Sequence, residues 1–94
     1  MIIRPLAEAD LVSARDWYDR QRAGLGSAFL FSIEEVFERI SRTPEISPVV
    51  HRDLRRALIQ RFPYAVYYRI EGDEVVVLGI FHAARAPGEW ESRA

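Results

Sequence analysis

The hydrophobic pattern changes period once, near Pro44, and that change constrains the fold more tightly than any composition figure. Before it, apolar side chains recur three and four apart, at Ala7, Leu11, Ala14, Trp17 and Tyr18, then at Phe29, Leu30, Ile33, Val36, Phe37 and Ile40. Such spacing gathers them on one face of a helix and predicts two helices, the first over residues 7–22. Gly24-Leu25-Gly26 separates them, with Ser27 placed to cap the second. Glu34, Glu35, Glu38, Arg39 and Arg42 take the other face of that helix, and Glu35 with Arg39 and Glu38 with Arg42 are opposite charges at a favourable four-residue spacing.

After a loop over residues 45–50, the runs 57–62 and 64–70 are rich in aromatic and branched residues, with Pro63 marking a turn or bulge between them. Glu71-Gly72-Asp73-Glu74 signals a tight hairpin, and Val75 to Phe81 is a nearly unbroken apolar run that reads as a central strand covered on both sides. Residues 2–4, closed by Pro5, are compatible with an edge strand. The expected fold is therefore a single α+β domain over residues 1–94. An N-terminal helical hairpin packs on one face of a small twisted antiparallel sheet, a three-stranded meander in its main part. Strict alternation sends Tyr64, Val66, Tyr68 and Ile70 towards the helices and Ala65, Tyr67 and Arg69 to the other side, which is expected to be open, with Arg61 joining it if the alternation survives Pro63.

Composition narrows the chemistry. No cysteine is present, so disulfides, thiolate nucleophiles and sulfur-ligated metals are excluded. All 13 basic residues are arginine, which removes Schiff-base lysines and the phosphate-binding loop that ends in lysine. No apolar run approaches the ~20 residues of a membrane span, no leader is apparent, and the expected compartment is the cytoplasm. The two histidines, His51 in a loop and His82 at a strand end, lack a nucleophile or a ligand cluster beside them. No cofactor or metal is expected. A net charge of −1 argues against a domain that coats nucleic acid. It conceals a basic stretch, since residues 51–69 hold five arginines against Asp53 alone. The constellation Arg52, Arg55, Arg56, Arg61, Tyr67, Arg69, Arg85 and Trp90 could hold a phosphate backbone and stack bases, or dock an acidic peptide along a strand edge. The residues alone leave both readings open.

Their order along the chain resembles the RelE/ParE superfamily of toxins from bacterial type II toxin-antitoxin modules. The resemblance runs over roughly residues 8–90. It is carried by Asp10-Leu11, Ala14 and Trp17-Tyr18, by Gly24-Leu25-Gly26 with Phe29, by Ile40 and Pro44, by Arg61-Phe62-Pro63-Tyr64 leading to Val66 and Tyr68, and by Phe81-His82-Ala83-Ala84-Arg85-Ala86-Pro87 with Trp90. It implies the fold expected above and a cognate antitoxin whose disordered segment folds over the toxin. Promoter DNA would be met only through that antitoxin.

Two activities divide the superfamily. RelE-like members cleave mRNA in the ribosome with basic side chains on the sheet and a tyrosine near the C-terminus. In this chain Ala65 stands at one of the basic positions and Trp90 near the place of the tyrosine, and an indole cannot act as general acid or base. Arg56, Arg61 and Arg85 would be the groups left for such an enzyme. ParE-like members bind and poison DNA gyrase, which fits this chain better and makes Arg55, Arg56, Arg61, Tyr67, Arg69, Arg85 and Trp90 the expected antitoxin- or target-binding residues. Ala86 replaces the Asp or Asn usual between the arginine and the proline, so a non-toxic member acting only as a binding module is the third reading.

Overall fold

The computed structural model describes residues 1–94. Strand β1 (Ile2–Ile3) leads into helix α1 (Pro5–Gln21), with Pro5 in the first turn, where its missing N–H costs no helical bond. Gly24 then adopts φ 92, a left-handed conformation that glycine takes without steric cost, and α2 (Leu25–Arg42) begins immediately. Ser27 is not its cap. Asp19 of α1 accepts a 2.7 Å hydrogen bond from the Gly26 N–H instead, so the first helix satisfies a free donor of the second. A Cβ on Gly26 would lie 2.7 Å from the Asp19 side chain and 2.8 Å from the Arg15 carbonyl oxygen, so the second glycine of the linker sets how closely the hairpin closes.

Beyond a short 3₁₀ turn (Pro44–Ile46) come β2 (Val49–His51), β3 (Leu54–Leu58), β4 (Tyr64–Glu71), β5 (Glu74–His82) and the short helix α3 (Pro87–Glu91). The fold is the expected α+β arrangement, with a larger sheet. Five strands lie in the order β1-β5-β4-β3-β2, and β1 runs parallel to β5, with Ile2 opposite Val76 and Ile3 opposite Val77. Part of the segment expected to be a loop is β2, which pairs with β3. The third strand lies earlier than expected, because Leu54–Leu58 carries two arginines that obscure its alternation. Residues 59–63 form the turn into β4, where Arg61 takes φ 72 and the Ile59 N–H closes onto the Tyr64 carbonyl at 3.0 Å.

The alternation of β4 is as expected. Val66 and Tyr68 are buried against the helices with Phe29, Ile33, Val36 and Ile40, and Tyr64 and Ile70 pack at the margin. Tyr18, Phe29, Phe62 and Tyr64 form an aromatic knot whose ring centroids are 4.8 to 6.0 Å apart, within the range where edge-to-face and offset contacts add to burial. The Tyr68 hydroxyl donates to the Pro44 carbonyl at 2.6 Å. Strand β5 is buried along almost its whole length, as expected of a strand covered on both sides.

Candidate functional site

The second face of the sheet is not open. Leu54, Ala65, Tyr67, Val76, Leu78, Phe81 and Trp90 form a second buried cluster there. The cover is α3 and the residues after it. The Trp90 ring stacks on Tyr67 at 5.1 Å, and Phe81 meets Tyr67 edge-on at 5.7 Å. Three polar contacts hold the segment down. Arg93 pairs with Asp10 of α1 at 2.8 and 3.2 Å and donates to the Leu78 carbonyl at 3.0 Å. Its guanidinium also lies 4.7 Å over the Phe81 ring. His51 of β2 meets Glu91 at 3.1 Å. Room for the clasp comes from Gly79, where an added Cβ would stand 2.6 Å from Phe81 and 3.2 Å from Arg93. Leu78 is the extra residue of a bulge in β5, since Tyr67 pairs with Gly79 and Tyr68 with Val77.

This packing redistributes the residues expected to meet a partner. Tyr67 is fully buried and Trp90 nearly so, and neither is available on the surface. Burial pushes the Tyr67 phenol up from its ordinary ionisation range, against the opposing pull of the Arg56 charge beside it. Its hydroxyl has no hydrogen-bond partner, and neither does the Arg56 Nε. Arg55 stands opposite Tyr68 and therefore on the helical side, where it braces the loop by donating to the Ser47 and Glu45 carbonyls at 2.7 and 3.2 Å. Arg69 pairs with Glu71 at 2.5 Å. Arg85 pairs with Glu89 at 3.2 Å and lies 5.7 Å over Phe81. Arg61 and Arg52 are exposed in turns with φ 72 and 54. The arginines are thus divided between the two faces of the sheet and its turns and do not converge on one point.

Two of the concave surfaces hold residues expected to meet a partner, Arg85 in one and Arg56 in the other. A cleft of about 720 Å³ runs between α1 and the ends of β4 and β5, lined by Asp10, Trp17, Tyr64, His82 and Arg85 among others. Trp17, expected on the buried helical face, is 47% exposed there. Tyr18 below it is held above its ordinary ionisation range by burial and by the neighbouring Tyr64. His82 accepts a 3.1 Å hydrogen bond from the Ala84 N–H through Nδ1, so in the neutral ring the proton sits on Nε2. The cleft can seat an apolar side chain beside a cation. The second surface is a groove of about 400 Å³ at the end of β3, with Arg39, Ile46, Val50, Arg56 and Leu58 in its walls. Sequence reasoning missed both, because α1 and α2 reach them across distances that spacing does not encode. No group of three His, Asp or Glu side chains is placed to hold a metal ion, and no helix is long and apolar enough to cross a membrane.

Comparison with known proteins extends this picture. A family model described as the ParE toxin of the type II toxin-antitoxin system parDE matches residues 1–87. Among solved structures, a chain from the chromosomal ParDE toxin-antitoxin system of P. aeruginosa superposes with a TM-score of 0.64 at 20% identity, over 87% of this chain and 95% of that one. No curated protein matches. The family match stops at Pro87, where α3 begins.

Proposed function

The chain belongs to the ParE toxin family of type II toxin-antitoxin systems, and on that premise we propose that it arrests growth by binding DNA gyrase in the cytoplasm. As a toxin of this family it is neutralised by an antitoxin; the target is our reading. The observation that carries binding over cleavage is the inward packing of Tyr67 and Trp90. Cutting RNA needs a proton donor and acceptor beside the cations. On the back face the only phenol is buried with its ionisation pushed up, the indole does not titrate usefully, and guanidiniums stay charged throughout the physiological range. Such a surface recognises anions and apolar side chains and moves no protons.

The test is a supercoiling assay. Purified protein at about stoichiometric ratio should stop gyrase from supercoiling relaxed plasmid, added antitoxin should restore it, and ribosome-bound mRNA should stay intact. Undiminished supercoiling removes the gyrase reading. Cuts in translated mRNA that disappear in Arg61→Ala or Arg85→Ala would replace it with the endoribonuclease reading. Normal growth on induction without antitoxin would leave a binding module.

A further inference from the structure

We propose that the open end of β3 is where the antitoxin adds a short extended strand, and that this strand carries acidic side chains on both of its faces. The inference rests on the antitoxin reading above and names the surface and the chemistry of the contact.

The backbone supplies the first argument. The hydrogen bond from the Ile59 N–H to the Tyr64 carbonyl fixes the parity of the β3–β4 ladder, so Arg55, Ala57 and Ile59 turn their main-chain groups towards β4. Arg56 and Leu58 therefore turn theirs outward. Arg56 is satisfied there, its N–H donating to the Pro48 carbonyl at 3.1 Å. Strand β2 stops at that point, and none of its residues stands opposite Leu58. The Leu58 carbonyl receives only a long 3.4 Å contact from the Arg39 guanidinium of α2. A free N–H and a weakly occupied carbonyl on one residue are the template that an added strand uses.

The side chains supply the second. Leu58 and Ile46, 56% exposed each, flank the edge with Val50. Arg39 and Arg56 line the same groove, no acidic residue does, and neither arginine forms an ion pair within the chain. The Arg56 guanidinium makes only a long 3.5 Å contact with the Ala83 carbonyl, and its buried Nε has no acceptor. Charge on an edge strand ordinarily prevents edge-to-edge pairing, and here it disfavours a second copy of this chain, which would bring like guanidiniums together. An acidic strand meets the opposite condition. Arg39 reaches the groove from the helical layer, while Arg56 belongs to the other face of the sheet, opposite Tyr67. Since side chains of a strand alternate between faces, the occupant needs acids an odd number of positions apart, with apolar residues between or beside them to cover Leu58 and Ile46.

The test uses the full chain and the protein encoded by the adjacent reading frame. Amide exchange is followed by NMR, and affinity is measured for the unmodified chain, Arg39→Glu, Arg56→Gln and, as a control on the far side of the molecule, Arg22→Glu. Binding should slow exchange of the Leu58 amide at least tenfold, and Arg39→Glu should weaken affinity tenfold or more while Arg22→Glu leaves it within twofold. Thermal unfolding of Arg39→Glu, an exposed site in the last turn of α2, should show a small decrease that leaves the chain folded at the temperature of the binding assay. Reversing the partner's acid to arginine should recover binding to Arg39→Glu. Failure of the unmodified chain to bind overturns the antitoxin reading itself. Tight binding with Leu58 exchange unchanged, or with Arg39→Glu binding normally, overturns the edge-strand inference alone.

Discussion

Tyr67 and Tyr68 are adjacent, equally and fully buried, and on opposite faces of one sheet. On the helical face the Tyr68 hydroxyl reaches the Pro44 carbonyl, and the surroundings are aromatic rings and branched aliphatics from two long helices. On the back face the Tyr67 hydroxyl reaches nothing, and its cover is a five-residue helix and the residues after it, held by one ring stack, the Arg93–Asp10 ion pair and the contact of His51 with Glu91. The contrast separates two ways of burying a sheet. One face is sealed by apolar area, which is non-directional and cooperative. The other is fastened at a few points by directional contacts.

Substitutions rank along that contrast. Phe29→Ala removes the centre of the aromatic knot and should cost about 4 kcal/mol, in the range for a large ring deleted from a packed core; urea unfolding measures it. Trp90→Ala should cost less, about 2 kcal/mol, because α3 can open locally. Amides of residues 88–93 should already exchange faster in the unmodified protein than those of β5. An equal cost for both substitutions, or exchange of α3 only through global unfolding, would break the distinction between the faces. Asp10→Ala should cost about 1.5 kcal/mol, since it leaves the Ile80 N–H and the half-buried Arg93 without their acceptor. A double-mutant cycle with Arg93→Ala isolates the clasp.

The smallest effects fall on the tyrosines themselves. Tyr68→Phe loses a made hydrogen bond, about 1 kcal/mol, whereas Tyr67→Phe removes an unpaired buried hydroxyl and should be neutral or slightly stabilising. Tyr67 also has an effect at alkaline pH. A phenol whose ionisation is raised in the folded state stabilises fully below its unfolded value of 10.0, and that contribution is lost as pH rises from there through the folded value. Tyr67→Phe should therefore flatten the decline in stability above about pH 10 relative to the parent. Tyr18, raised in the same direction, keeps some decline in place.

How much of this was legible in the chain follows the same division. The helical face could be read because its rules are local: three-and-four spacing in α1 and α2, and strict alternation from Tyr64 to Ile70 that puts Val66 and Tyr68 on the core side. Arg-Arg at positions 55 and 56 hid β3, because two adjacent cations break an apolar alternation even when one braces a loop and the other lies over the back face. The back cover was invisible. The five residues of Pro87–Glu91 are too few to show a helical period, and the partners that hold the C-terminal segment down lie far away in sequence, Tyr67 beneath Trp90 and Asp10 beside Arg93. Expecting Tyr67 and Trp90 on a binding surface failed for that reason, as did placing Trp17 inside, since α1 turns it into the cleft instead.

The clasp between Asp10 and Arg93 joins residues 83 positions apart, and β1 likewise waits for β5 before it has a neighbour to pair with. During synthesis the first strand and first helix emerge long before either counterpart exists. Such closing contacts are late by construction and weigh on folding speed, because distant segments must meet before they gain anything. A nascent chain of this design carries an incomplete sheet until translation has passed residue 82 and an unfastened back cover until it has passed residue 93, so the finished surface that an antitoxin or a target would recognise is absent for most of the time the ribosome spends on it.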